Sequence, residues 1–268
     1  MVEFLDYLTE LYNNKLSYSV INTARSAVSS IVICKNRGET IGSHCLVSRF
    51  MKGCYELRPP TPRYNEIWDV SPMLQLLKKL SPVKTISLKN LTLKLVSLIA
   101  LTTACRGNSL KQLNLQHMKT GKSTVTFQVK MKQSRQGYVA PLILLSAYPA
   151  DRRLCVYTVL QEYIHRTENL RTDKQLLISY LKPYKPVTTA TISRWVKTTM
   201  IMSGIDTNQF QPHSTRAAAS SKAFATIPLN HILKTVGWTN ESTFSKYYNK
   251  TIVHHHDQAS TFARTVLE

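Results

Sequence analysis

The chain has 268 residues, enough to bury a sizeable core as one large domain or two modest ones. Hydrophobic residues make up 43% and charged residues 19%, ordinary globular usage that excludes a disordered tail. Lys and Arg number 35 against 15 Asp and Glu, and a formal charge of +20 repels itself unless a polyanion is near, so nucleic acid or an anionic membrane surface is the first partner to consider.

The opening MVEFLDYLTELYNNK carries acidic residues early and lacks a basic region followed by an apolar stretch, so it does not read as a secretory signal. From Phe4 to Ile33 apolar residues recur at helical spacing. Phe4, Leu5, Leu8 and Leu11 form one stripe, and Val20, Ile21, Ala24, Ala27, Val28 and Ile31 another, with a break at Asn13-Asn14. Pro59, Pro60 and Pro62 remove backbone donors and hold the chain extended, which makes Leu57–Arg63 a linker. Trp68–Leu80 resumes a helical pattern. Ser87–Ala104 is the most hydrophobic helix, with Leu88, Leu91, Leu95, Leu98, Ile99 and Thr102 on one side, and it is expected to stop near Arg106-Gly107-Asn108. The longest apolar run, around Leu95–Leu101, is broken by Ser97 and is far shorter than a bilayer crossing, which favours nucleic acid over membrane.

From Ser123 the period changes to two. Val125, Phe127, Val129 and Met131 alternate with Thr126, Gln128, Lys130 and Lys132, and Gln136-Gly137 turns into Tyr138-Val139, the pattern of a β-hairpin. Cys155–Thr167, Ala190–Ser203, Ala217–Thr226 and Asn230–Val236 read as helices. The fold class is therefore mainly α with a small antiparallel β-sheet (α+β): residues 1–57 a small helical domain, 58–66 a linker and 67–268 a larger unit. Five scattered cysteines, Cys34, Cys45, Cys54, Cys105 and Cys155, form no CxxC pair, which argues against a disulfide framework or zinc ribbon and for an intracellular, reducing home.

Five local signals in the larger unit each have a bland account. Arg106 would be a solvated cation after a helix. Lys132, or Lys130 in the same phase, would be the rim of a hairpin. In Pro212-His213-Ser214-Thr215-Arg216, His213 and Arg216 fall on one face at the mouth of an Ala-rich helix, where free N–H groups would meet an anion, although a cap or surface histidine would look the same. Trp238 after Gly237 would be a core residue, and Tyr247-Tyr248 an interfacial pair.

Together, Arg, Lys, His-x-x-Arg, Trp and Tyr in this order resemble the active site of the tyrosine recombinases, the phage integrase family. Leu98–Arg106 looks like the family's first-arginine box, His213-Ser214-Thr215-Arg216 like its His-x-x-Arg box, and Gly237-Trp238 with a tyrosine nine or ten residues on like its last box. Leu57-Arg58-Pro59-Pro60, Trp68-Asp69-Val70 and Thr243-Phe244 to Tyr248-Asn249-Lys250 are similar in wording to the recombinases of DIRS-like and Crypton-like mobile elements, and Tyr-Asn-Lys favours Tyr248 over Tyr247. Two positions depart from the pattern. Ser109 stands where an acidic residue often supports the first arginine, and Trp238 where histidine is common.

The resemblance implies a DNA breaking-rejoining catalytic fold preceded by a core-binding domain, and strand transfer through a covalent 3′-phosphotyrosine. A tyrosine nucleophile stays attached to the phosphate, so a second hydroxyl can later displace it. Arg106 and Arg216 would grip the phosphate oxygens, Lys132 would protonate the departing 5′-oxygen, His213 would take the phenol proton or hydrogen-bond the phosphate, and Trp238 would donate its indole N–H. Lys15, Arg25, Lys35, Arg37, Arg49 and Lys52 would supply phosphate-directed charge in the N-terminal domain. The implied partner is double-stranded DNA, bound by a homotetramer on two duplexes, with no small-molecule cofactor, no metal and no membrane, and the implied location is nuclear if the host is eukaryotic. His254-His255-His256 does not alter this, because three adjacent residues on a regular element cannot converge on one ion and only Asp257 is nearby. The alternatives are a domesticated, inactive DNA-binding protein of the same fold, and a plain basic helical module whose six site residues would be scattered in space.

Overall fold

The computed structural model describes residues 1–32, 40–129, 142–238 and 241–253. It divides into two compact units, Met1–Arg63 and Tyr64–Glu268.

The first unit holds three helices, α1 (Val2–Asn13), α2 (Tyr18–Ser29) and α3 (Cys45–Leu57). The Asn13-Asn14 break falls where expected, and Ser17 caps α2 by accepting from the Val20 amide. The stripe assigned to α2 is only partly inward: Ile21 is buried, whereas Val20 and Ile31 are exposed, Ile31 lying beyond the helix end. Helix α3 lies past the helical stripes, which run only to Ile33, and was not expected. Val47 and Met51, four apart, nevertheless join Phe4, Leu8, Ile21 and Ile41 in one core. Arg58 then folds back within the unit, 4.1 Å from the Tyr12 ring centroid, and donates to the carbonyls of Tyr12 and Leu16 near the end of α1.

The second unit runs β1 (Glu66–Trp68), α4 (Ser71–Lys79), α5 (Leu88–Thr103), α6 (Gly107–Lys111), β2 (Met118–Thr120), β3 (Thr124–Gln128), β4 (Leu142–Ser146), α7 (Val156–Thr167), α8 (Thr189–Met202), α9 (Ser214–Phe224), α10 (Leu229–Val236), α11 (Glu241–Tyr247) and β5 (Thr251–Val253). It is mostly helical with an antiparallel sheet β2-β3-β4, as the sequence suggests, plus a parallel pair β1-β5 in which Trp68 faces Val253. Trp68 therefore lies in a strand, not a helix. The following helix starts only at Ser71, with Pro72 in its first turn, where a missing N–H costs nothing. In the hairpin Val125, Phe127 and Val129 point inward as their alternation requires, and Val125 and Phe127 face Leu145 and Ile143 across the pair. The expected turn at Gln136-Gly137 lies outside the described residues.

Helix α5 is the axis of this unit, packed against α7, α8, α9 and β4. Its burial is not one-sided as expected. Every residue from Leu91 to Ala100 is buried, while Leu88 is half-buried and Thr102 exposed, because neighbours cover it from all sides. Its bounds, Leu88–Thr103 with Ser87 and Ala104 as caps, match the expected Ser87–Ala104. It stops at Ala104, whose φ of 45° is left-handed, and Gly107 opens α6. Among the described residues no helix is long and apolar enough to cross a membrane.

Complete burial includes Lys94, which is 0% exposed. Its ammonium donates to the Leu80 carbonyl at 2.6 Å and to Ser81 Oγ at 2.8 Å, closing the C-terminal end of α4. Burial lowers its pKa from the ordinary 10.5 to about 8, with Asp151 opposing the fall and Arg153 adding to it. The unfolded chain therefore binds one more proton than the folded one between about pH 8 and pH 10.5, so this residue's contribution to stability rises with pH across that window. Urea unfolding of the unsubstituted chain and of Lys94→Met should show the stability difference shifting in favour of the unsubstituted chain from pH 8 to pH 10; a difference independent of pH would contradict the assignment.

Candidate active site

Four elements of the second unit meet at the ends of helices α5 and α10. Both end on a residue of positive φ, Ala104 at 45° and Gly237 at 72°. Glycine adopts this geometry freely, whereas alanine pays about 1 kcal/mol or more for it. Arg216, on the first turn of α9, reaches both ends. Its Nη1 donates to the Ala104 carbonyl at 2.8 Å and its Nη2 to the Val236 carbonyl at 3.3 Å. One guanidinium thus neutralises the negative poles of two helices at once, and the forked planar group is the only side chain shaped to do so. The hydrogen bond to Ala104 helps hold an otherwise unfavourable backbone in place.

Arg216 is 6% exposed. Burial, with the repulsion of Arg106, lowers its pKa to about 10, against the opposing effects of Tyr248 and Cys105, so it stays cationic at neutral pH. The Trp238 ring centroid lies 4.6 Å from its Cζ and that of Tyr248 5.4 Å, and the two rings lie 4.5 Å apart. Phe244 packs behind Trp238 at 5.5 Å. Tyr248 is half-buried beside the guanidinium, whereas Tyr247 is exposed, with Lys246 Nζ 5.5 Å from its ring.

His213 stands at the N-cap position of α9, its ring 5.7 Å from that of Tyr64. The start of that helix is fixed by Trp68, whose indole N–H donates to Ser214 Oγ at 2.8 Å. Arg106, exposed, is the N-cap of α6. Arg106, His213, Arg216 and Tyr248 together line a cavity of about 360 Å³ whose apolar floor includes Leu110, Ile192 and Val196. The two arginines also line a larger, shallower cavity of about 740 Å³ bounded by Thr126, Leu144 and Lys234. Three buried donors at this site, Arg216 Nε, Trp238 Nε1 and Thr215 Oγ1, have no protein hydrogen-bond partner among the described residues. Such donors suit an oxyanion.

Five of the six expected site residues are thus in one place: Arg106, His213, Arg216, Trp238 and Tyr248. The sixth, Lys132, and its alternative Lys130 lie outside the described residues, as do Lys35, Arg37 and His254-His255-His256. Of the other basic residues expected to face DNA, Lys15, Arg49 and Lys52 are exposed. Arg25 is half-buried and donates to the Gly42 carbonyl at 3.2 Å, a bracing role inside its own unit. Among the described residues Arg106 makes no ion pair, and Ser109 offers it no carboxylate. No group of three or more His, Cys, Asp or Glu among them could hold a metal. The sequence reading passed over Tyr64, Thr215 and Lys234. Thr215 sits inside the His-x-x-Arg box and could have been suspected from that alone, whereas nothing local marks Tyr64.

The profile of the phage integrase family matches residues 70–254. The chain belongs to that family. None of the curated proteins compared with this integrase matches it in sequence. Among solved structures it is similar to the XerH site-specific recombinase bound to its difH substrate, with 16% identity and a TM-score of 0.59 over 100% of this chain and 70% of that one. It is likewise similar to the Tn1549 transposon integrase in complex with transposon right-end DNA, with 13% identity and a TM-score of 0.59 over 99% and 84%. A lambda integrase tetramer bound to a Holliday junction aligns at 11% identity with a TM-score of 0.52 over 96% and 67%. At these identities the likeness establishes the fold.

If Arg216 bridges two helix ends, a lysine cannot replace it, because one ammonium lacks the fork to reach both carbonyls. Arg216→Lys should lower the unfolding free energy by about 1–3 kcal/mol in urea titrations, the cost of a buried acceptor left unmet. Unchanged stability would show that the bridge is unimportant.

Proposed function

We propose that this integrase cleaves and rejoins DNA strands by transesterification, with Tyr248 as nucleophile. The observation that carries the proposal is the shared cavity, in which Arg106, His213 with Arg216, and Tyr248 come together from three separate stretches of the chain. The Tyr248 phenolic oxygen would attack the scissile phosphorus as its proton passes to His213. The bond from phosphorus to the 5′-oxygen would break, and Lys132 would protonate that oxygen, leaving a 3′-phosphotyrosine and a free 5′-hydroxyl. A 5′-hydroxyl from another strand then reverses the sequence, so the bond energy is kept and no external energy source is needed. The negative charge on the non-bridging oxygens falls to Arg106 and Arg216, with Arg216 Nε, Trp238 Nε1 and Thr215 Oγ1 as further donors.

Because Tyr248 adjoins the Arg216 of its own chain, each protomer would supply both clamp and nucleophile. Residues 67–268 would be the catalytic domain, with residues 1–57 gripping the duplex through exposed cations such as Lys15 and Arg49, and 58–66 the linker. The tetrameric lambda integrase on a Holliday junction supports a homotetramer acting on two duplexes. The wording of the motifs supports an origin in a DIRS-like or Crypton-like element, which would work in the nucleus of its host.

A second reading, a DNA-binding protein that has lost cleavage, draws on Ser109 and the lack of an ion pair to Arg106 among the described residues. A trapping experiment separates the two. Nicked duplexes of randomised sequence lose the short 5′-hydroxyl fragment after cleavage and cannot be resealed, so an active enzyme accumulates as a covalent adduct. The expected result is an adduct lost in Tyr248→Phe and kept in Tyr247→Phe. Binding without an adduct would establish the inactive reading, and the reverse pattern would move the nucleophile to Tyr247.

A further inference from the structure

A nucleophile on a short C-terminal segment must be held to the helix that carries the phosphate clamp, since an error of about 1 Å in the attacking atom costs roughly a hundredfold in rate. Helix α11 ends at Tyr247, and the amides of Tyr248 and Asn249 both return to the Phe244 carbonyl at 2.8 Å. That fixes the local turn without tying it to α9. The hydrogen-bonded tie comes from a serine. Ser221 Oγ donates to the Tyr248 carbonyl at 2.6 Å and accepts from the Lys250 amide at 3.0 Å. A hydroxyl has one proton to give and lone pairs to receive, so this single buried group holds both sides of the Tyr248-Asn249-Lys250 segment.

Ser221 lies five residues after Arg216 on α9, about 7.5 Å along the axis. The helix thus carries the guanidinium at its first turn and the anchor of the tyrosine further along. Beyond Lys250 the chain enters β5, which pairs in parallel with β1. Strand β1 is in turn fixed to α9 by the bond from Trp68 to Ser214. The tyrosine is therefore referenced to α9 by the hydrogen bonds of Ser221, by the packing of Phe244 on Phe224 at 5.1 Å and of its own ring beside Arg216, and, at longer range, through the strand pair.

We infer that Ser221 is a positioning residue for the strand-transfer reaction: its hydroxyl sets where the Tyr248 phenol stands relative to Arg216 without touching DNA. This rests on the reading of Tyr248 as nucleophile. Neighbouring Ser220 provides the contrast. It is equally buried, yet its Oγ donates to the Arg216 carbonyl at 2.7 Å, within its own helix, and reaches nothing on the tyrosine segment.

The test is single-turnover adduct formation on a nicked duplex at saturating DNA, with DNA affinity and thermal unfolding measured on the same proteins. Ser221→Ala should slow the step at least tenfold with unchanged affinity, Ser221→Thr should recover most of the rate by restoring the hydroxyl, and Ser220→Ala should react as the unsubstituted chain does. Equal rates for Ser221→Ala and the unsubstituted chain would overturn the positioning role alone. No adduct from the unsubstituted chain would overturn the nucleophile reading, and this role with it. Should Ser221→Ala fail to fold, hydrogen exchange of the Lys250 amide in the unsubstituted protein decides: protection supports the tie, and free exchange overturns it.

Discussion

The bridge from Arg216 to two helix C-termini is the interaction on which the site depends. Helices α5 and α10 each end with unmet carbonyls and a negative pole, and bringing two such ends together is unfavourable unless a cation lies between them. Arg216 supplies it, and the arrangement fixes the guanidinium from two directions. The same side chain then becomes the platform on which Trp238 and Tyr248 rest. Structure and proposed chemistry are not separable here, since the group that would bind phosphate also closes the fold.

Scaffold rigidity follows from the rest of the second unit. Helix α5 is buried all round from Leu91 to Ala100, so its C-terminal end, and with it the position of Arg106 just beyond, is set by the packing of four neighbours. Arg106 itself stays exposed. One arginine is thus built into the core and the other stands at the surface.

Much of this was legible in the sequence. Helices α5, α7, α8, α9 and α10 stand within a few residues of where the sequence places them, and the inward set of the hairpin strand β3 follows from its alternation. The order of motifs indicated five residues that the fold assembles. What was not legible depends on long-range partners. Trp68 reads as helical because it runs directly into the helical spacing of Met73, Leu77 and Leu80, and only pairing with a strand nearly two hundred residues later makes it extended. The end of α5 at Ala104 falls where the sequence places it, but nothing local marks its left-handed backbone or its partner Arg216, over a hundred residues away. The bond from Arg25 to the Gly42 carbonyl, seventeen residues on, is likewise unmarked in the sequence.

The claim that Arg106 and Arg216 act on one phosphate is tested most directly by a double-mutant cycle. Adduct formation would be compared in Arg106→Ala, Arg216→Ala and the double variant, with each protein's folded fraction measured. Two groups that share a transition state are strongly non-additive. The double variant should therefore lose far less than the product of the two single losses. Losses that multiply independently would show that the two guanidiniums do not serve a common phosphate.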